Sequence, residues 1–341
     1  MTDSIKNIKQ YTRKDFVSDQ EVKWCAGCGD FSILSAVQNA LPEMGVKKED
    51  FVFVSGIGCS SRFPYYVDTY GVHSLHGRAA AVASGVKVAN PRLSVWMMTG
   101  DGDSMAIGGN HFIHILRRNI DVNIVLFNNR IYGLTKGQYS PTTPLGHVTK
   151  TSPYGTIEHP FKPGELAMGA EGTFFARAVD TNPKMMKEIF IEAEKHKGTS
   201  LVEVLQNCVI FNNKIHQTIT AKDVREDHQV YLKHGEKMIF GKEKNKGIVL
   251  EGLKLKAVTI GEDGYTMDDI LVHDAHDTDP TMAFLLARMS LPELPVAMGV
   301  IRAFKTVVYD IALEEQVAQV KANSKIKNMN DLVNSGNTFS L

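Results

Sequence analysis

Four apolar runs punctuate the chain before residue 210: Phe51 to Val54, Leu93 to Thr99, Val122 to Phe127 and Ser200 to Leu205. Runs this short, apolar without alternation, suit strands buried on both faces of a parallel sheet. Parallel neighbours need long crossovers, and helical segments lie between the runs. Asp30 to Leu41 carries Phe31, Leu34, Val37 and Leu41 on one stripe, with Asp30 placed to cap it and Pro42 and Gly45 to end it. Arg78 to Ala89 is rich in alanine and valine and stops at Asn90-Pro91. A further helix is expected from about Ser104 to Arg118. Asn182-Pro183 opens another, with Lys195, His196 and Lys197 in its last turn and Gly198 after it. That is a cap, a first-position proline, cations at the negative end and a glycine stop. Strands alternating with helices in this way predict an α/β chain with a doubly wound, mostly parallel sheet.

The organisation around that core is less regular. Residues 1–20 have no apolar period and read as an N-terminal arm, before a core domain over 21–211. Residues 212–245 are polar and lysine-rich, and Ile248 to Val272 alternates weakly enough to add strands. The last nineteen residues hold five asparagines. Residues 212–341 are therefore expected to form a C-terminal extension packed on the core or on a partner. Hydrophobic residues at 43% and charged ones at 22% suit a globular chain rather than a disordered one. Thirty-eight basic residues balance thirty-eight acidic ones, which argues against a nucleic-acid partner. No run approaches the roughly 18 apolar residues of a membrane span. The first twenty residues lack the apolar core of a secretory signal. Four cysteines in 341 residues do not make a disulfide framework, so a cytoplasmic location is expected.

Two strand ends carry the most specific motif. Gly100-Asp101-Gly102 follows one apolar run, and Asn128-Asn129 follows the next after twenty-five intervening residues. Glycines let backbone N–H groups approach phosphates, and the following helix presents its positive end. Asp101, Asn129 and the carbonyl of Ile131 are hard oxygen donors suited to Mg²⁺, which two diphosphate oxygens would complete. All lie at carboxyl ends of strands, where open α/β sheets bind ligands.

Cys25 and Cys28 form a C-x-x-C motif beside Trp24, resembling a thioredoxin site, but no strand precedes it. Cys59 sits in the glycine-rich turn after the first run, and Cys208 just after the last. Four thiolates at one sheet edge can ligate zinc or a [4Fe–4S] cluster, and spacing alone does not choose between them. Incidental buried cysteines are a third reading. His273, Asp274, His276 and Asp277 could chelate a metal, but in a strand-to-loop segment they read as packing or interface residues.

Taken together, these motifs resemble a known family. Trp24-Cys25-x-x-Cys28-Gly29, Gly56-Ile57-Gly58-Cys59-Ser60-Ser61, His76-Gly77-Arg78, Gly100-Asp101-Gly102 and the run from Asn128 to Thr142 are similar to the β subunits of 2-oxoacid:ferredoxin oxidoreductases. The stretch Tyr132 to Thr142 and the segment around His273 look most like the 2-oxoglutarate branch. The resemblance implies the thiamine diphosphate-binding fold, with Cys25, Cys28, Cys59 and Cys208 on a [4Fe–4S] cluster. It puts Asp101, Asn129 and the Ile131 carbonyl on Mg²⁺. Ile57, Gly58, Cys59, Ser60, His76, Gly102, Asp103, Gly133 and Leu134 would surround the thiamine diphosphate. Arg62 and Lys136 are candidates for the substrate carboxylates or coenzyme A. The implied reaction is oxidative decarboxylation of 2-oxoglutarate with coenzyme A to succinyl-CoA, electrons passing through the cluster to ferredoxin. An α subunit, in an αβ or α2β2 assembly, is expected to supply the glutamate that activates the cofactor. Rival readings are a β subunit for pyruvate or branched-chain acids, half of a non-oxidative thiamine decarboxylase, or a zinc-stapled scaffold without activity.

Overall fold

A computed structural model describes residues 10–339; the first nine residues of the expected N-terminal arm lie outside it. In chain order the first half runs α1 (Asp30–Ala40), β1 (Phe51–Ser55), β2 (Tyr70–His73), α2 (Ala79–Ala89), β3 (Ser94–Gly100), α3 (Asp101–Met105), α4 (Gly109–Arg118) and β4 (Val122–Asn128). It continues with α5 (Pro163–Gly169), β5 (Phe174–Val179), α6 (Pro183–Lys195), β6 (Ser200–Leu205), α7 (Gln217–Thr220), α8 (Arg225–His228) and β7 (Gln229–Leu232). The remainder holds β8 (Ile239–Phe240), β9 (Lys246–Glu251), β10 (Lys254–Thr259), α9 (Thr281–Arg288), β11 (Val296–Ala303), α10 (Tyr309–Asn323) and α11 (Met329–Val333).

Eight strands form one sheet in the order β2-β1-β3-β4-β6-β5-β11-β7. The first six run parallel, while β11 pairs antiparallel with β5 and parallel with β7. A three-stranded antiparallel sheet, β10-β9-β8, stands apart from it. The four apolar runs are β1, β3, β4 and β6, every residue of β1, β4 and β6 buried. Their side chains alternate between two cores. Phe51, Phe53, Trp96 and Met98 pack with α1 and α6 on one face. Val52, Val54, Val95 and Met97 pack with α2, α4, α5 and α9 on the other. Helices on both faces of a mostly parallel sheet make the architecture doubly wound.

Three expectations need correction. The helix expected from Ser104 to Arg118 is two helices, broken at Ala106–Gly108. Phe31 is not on the buried stripe of α1; it is 39% exposed and its ring meets Trp24 edge-on at 5.7 Å. The N-cap of α1 is Gly29 rather than Asp30, whose side chain turns inward. By contrast, Asn182 does cap α6, its side chain accepting from the Met185 amide at 3.1 Å. The region after residue 211 sends β7 and β11 into the main sheet.

Candidate cofactor and active site

Because the six parallel strands share a direction, their carboxyl ends meet at one edge. There β1 gives way to the Gly56–Cys59 turn, β3 to Asp101, β4 to Asn129 and β6 to Cys208. Between these ends lies a cavity of about 370 Å³. Asp101, Asn129, Ile131 and Gly102 line it, and so do Ile57, Gly58, Cys59 and Ser60 of the first turn. His76, Asp103, Gly133 and Leu134 complete the predicted set on its wall. Among the described residues, no glutamate lines it.

Asp101 is buried, and burial pushes its carboxyl up to about 6. Hydroxyls of Ser140 and Thr142 oppose that rise, each donating to Oδ2 at 2.5 Å. Asn129 Oδ1 accepts from the Ile131 amide at 3.1 Å across a turn in which Arg130 is left-handed, φ 57°. Three oxygen donors thus come from adjacent strand ends, a set suited to a hard divalent cation. Gly102 is required for close approach: a Cβ there would stand 2.3 Å from the Tyr132 ring, whose hydroxyl donates to the Gly102 carbonyl at 2.9 Å.

Asp103 is the hub of the wall. Its Oδ1 accepts from the amides of Ile57 at 3.0 Å and Gly77 at 2.7 Å, and lies 2.8 Å from His76 Nδ1. Its Oδ2 accepts from Thr99 Oγ1 at 2.8 Å. With its oxygens so occupied, Asp103 orients His76 and two loops. Gly56 makes room for it, since a Cβ there would fall 2.0 Å from Oδ2.

The thiols border the same cavity. A Cβ on Gly133 would sit 3.5 Å from Cys59 Sγ and 3.6 Å from Cys208 Sγ, so Gly133 fits between them. Burial raises Cys28, and Asp30, Cys208 and Cys59 add to it. Burial likewise pushes Cys59 up to about 12, helped by Asp30, Cys208 and Cys25 and opposed by Arg62. Each thiol thus lies within electrostatic reach of others in the set, and all four are free. Among the described residues, no group of three His, Cys, Asp or Glu side chains is drawn in tightly enough to hold a single metal ion.

Arg62 and Lys136 lie off the cavity wall. Arg62 Nε donates to the Tyr66 hydroxyl at 2.9 Å, beside the thiols. Lys136 is exposed and left-handed, φ 78°, at the rim between Thr135 and Gln138, which do line the cavity. The histidine-rich segment is packing: His273 is buried with Nε2 2.8 Å from the Val300 carbonyl, and His276 Nδ1 lies 2.8 Å from that of Ala303. Sequence reasoning missed Asp30, Tyr132, Ser140 and Thr142. Asp30 lines the cavity, fully buried, with Oδ2 unpartnered and its carboxyl pushed by burial up to about 7. Its position before an apolar stripe pointed to a cap; only the fold shows it facing inward.

Fold and cavity together define a thiamine diphosphate-binding domain, and residues 56–204 match the family described as thiamine pyrophosphate enzyme, C-terminal TPP binding domain. The chain is 50% identical over 309 residues to the 2-oxoglutarate oxidoreductase subunit KorB of Mycobacterium tuberculosis, covering 90% of this chain and 82% of that one. It is 46% identical to the 2-oxoglutarate synthase subunit KorB of Archaeoglobus fulgidus, over 59% of this chain and 73% of the relative. Its fold matches a solved 2-oxoglutarate:ferredoxin oxidoreductase from Magnetococcus marinus, with 2-oxoglutarate, coenzyme A and succinyl-CoA bound. That match has a TM-score of 0.78 at 32% identity and covers 98% of each chain. The chain belongs to the β subunits of the 2-oxoacid:ferredoxin oxidoreductases.

Proposed function

We propose that this chain is the β half of a 2-oxoglutarate:ferredoxin oxidoreductase, converting 2-oxoglutarate and coenzyme A to succinyl-CoA and carbon dioxide in the cytoplasm. One observation carries the reading: the wall holding Asp101 and Asn129 also holds Cys59, whose thiol lies within electrostatic reach of those of Cys25, Cys28 and Cys208. Bound thiamine diphosphate supplies the electron sink for loss of carbon dioxide, and a bound [4Fe–4S] cluster a one-electron outlet to ferredoxin.

Asp101, Asn129 and the Ile131 carbonyl are assigned to Mg²⁺, which would supply the positive charge that offsets a bound diphosphate. The backbones of Gly58, Ser60, Gly102 and Gly133 admit the cofactor closely, Ile57 and Leu134 screen it from water, and Asp103 holds the His76 ring toward it. Cys25, Cys28, Cys59 and Cys208 are assigned to the cluster. Lys136 at the rim and Arg62 beside the thiols are assigned to the carboxylates of the acid or to coenzyme A. The absence of a glutamate from the wall supports an α subunit that completes the site.

The test is reduction of a one-electron acceptor by the anaerobically purified complex, given coenzyme A and either 2-oxoglutarate, pyruvate or 2-oxoisovalerate. Strong preference for 2-oxoglutarate is expected. Turnover of pyruvate alone would overturn the substrate assignment, and no turnover from brown, thiamine-loaded protein would overturn the reaction.

A further inference from the structure

Behind the metal-binding turn, on the far side of Asn128 and Thr142, lies a second cavity of about 270 Å³. Four cations line it: Arg130, Lys162, Arg177 and Arg288. Two carboxylates answer them. Glu203 is engaged by Arg177 Nε at 2.8 Å and by Asn128 Nδ2 at 2.7 Å. Glu165 is shared by Lys162 at 3.0 Å and Arg288 at 3.6 Å. Asp101 also acts on Arg130 through space, so four cations face three carboxylates and leave an excess of one positive charge. Arg130 lines the cavity, and its guanidinium has no hydrogen-bond or ion-pair partner among the described residues. Arg130 also occupies a left-handed backbone, φ 57°, a conformation costly to a non-glycine residue and concentrated at binding sites. A guanidinium at a cavity wall with no hydrogen-bonded or ion-paired partner is open to an oxoanion, whose geometry its fork matches.

We propose that this cavity is an anion site, distinct from the cofactor cavity, that takes one small dianionic oxoanion between Arg130, Lys162 and Arg288. Inorganic phosphate and a short dicarboxylate such as succinate share the required chemistry. Roofed by Pro144 and Phe161 of the long loop after β4, the cavity has room for either but not for a nucleotide.

The experiment uses the complex with its α subunit, saturated with thiamine diphosphate so that the diphosphate cradle is filled. Calorimetric titration with phosphate, and separately with succinate, is expected to show one saturable site per β chain, with chloride at matched ionic strength giving none. The tighter of the two identifies the source. Substituting Lys162→Gln and Arg288→Gln together is expected to weaken binding at least tenfold; unchanged affinity, or no saturable binding to the wild type, overturns the proposal. Arg130→Gln supplies an independent readout. In anion-free buffer it should melt at or above the wild type, and the wild type should overtake it once the anion is added. An equal deficit in both buffers would make Arg130 a structural residue and sink the assignment.

Discussion

Asp103 accepts four hydrogen bonds from three separate segments, so its loss would strand several donors inside the wall at once. A single buried donor left unpaired costs about 1–3 kcal/mol. Asp103→Ala is therefore expected to lower unfolding stability by about 3 kcal/mol or more, read by urea denaturation, and to weaken thiamine diphosphate binding. Asp103→Asn, which keeps an acceptor for the Ile57 and Gly77 amides, should lose less than half as much stability. The thiols make a second prediction at this scale. Cys208→Ser should abolish the visible absorbance of an iron–sulfur cluster in anaerobically prepared protein while leaving thiamine diphosphate bound; retained colour and iron content would remove Cys208 from the ligand set. The cavity wall was largely legible in the sequence because its residues cluster in short motifs at strand ends. Asp30 was not, because a carboxylate before a helix looks the same whether it caps or turns inward. Ser140 and Thr142 were not, because their role depends on a loop returning to Asp101.

Charged groups buried within or beside regular elements tie the sheet together. Arg177 on β5 reaches Glu203 on β6 at 2.8 Å and donates to the carbonyls of Ala287 and Ala297, joining α9 and β11 to the parallel strands. Removing one member of a buried pair costs about 3–5 kcal/mol. Arg177→Met should fall in that range by chemical denaturation, with Glu203 left uncompensated. His196, at the end of α6, sets a pH dependence. Burial lowers it from 6.5 to about 4, its Nε2 lying 2.9 Å from Thr173 Oγ1. The unfolded chain takes up that proton near 6.5 while the folded one resists until about 4, so the stability this group contributes is complete above 6.5. It is lost as pH falls through that window, by about 3 kcal/mol at the bottom of it. His196→Gln should flatten the fall in stability across that window; an unchanged slope would show that other groups dominate. The same charges explain which strands escaped sequence reasoning. Arg177 interrupts the run of β5, and Gly299 and Arg302 interrupt that of β11. Exposed β2 has no buried face to impose a period.

At the scale of the whole molecule, four of the six parallel strands were legible and the antiparallel junction with β11 was not. Crossover helices between apolar runs dictate parallel pairing, whereas β11 reaches β5 from well over a hundred residues further along the chain. A cavity lined by oxygen donors and thiols but no glutamate predicts a catalytic dependence on a partner. Purified without an α subunit, the chain is expected to reduce no acceptor with 2-oxoglutarate and coenzyme A, and to gain activity when the α subunit is added; turnover by the chain alone would place the missing acid within it.

The strands β3 and β4 advance in step, Gly100 opposite Phe127, so Asp101 and Asn129 leave the sheet as next-door neighbours. The pair behaves like two marks on one ruler, their separation set by the spacing between strands rather than by the loops that follow. Side chains in a strand change face with every residue, so one residue inserted within β3 would turn its inward face outward and carry Asp101 out of line with Asn129. A change in the length of the loops beyond the edge leaves that pairing intact, whereas a change in the count of residues along either strand does not.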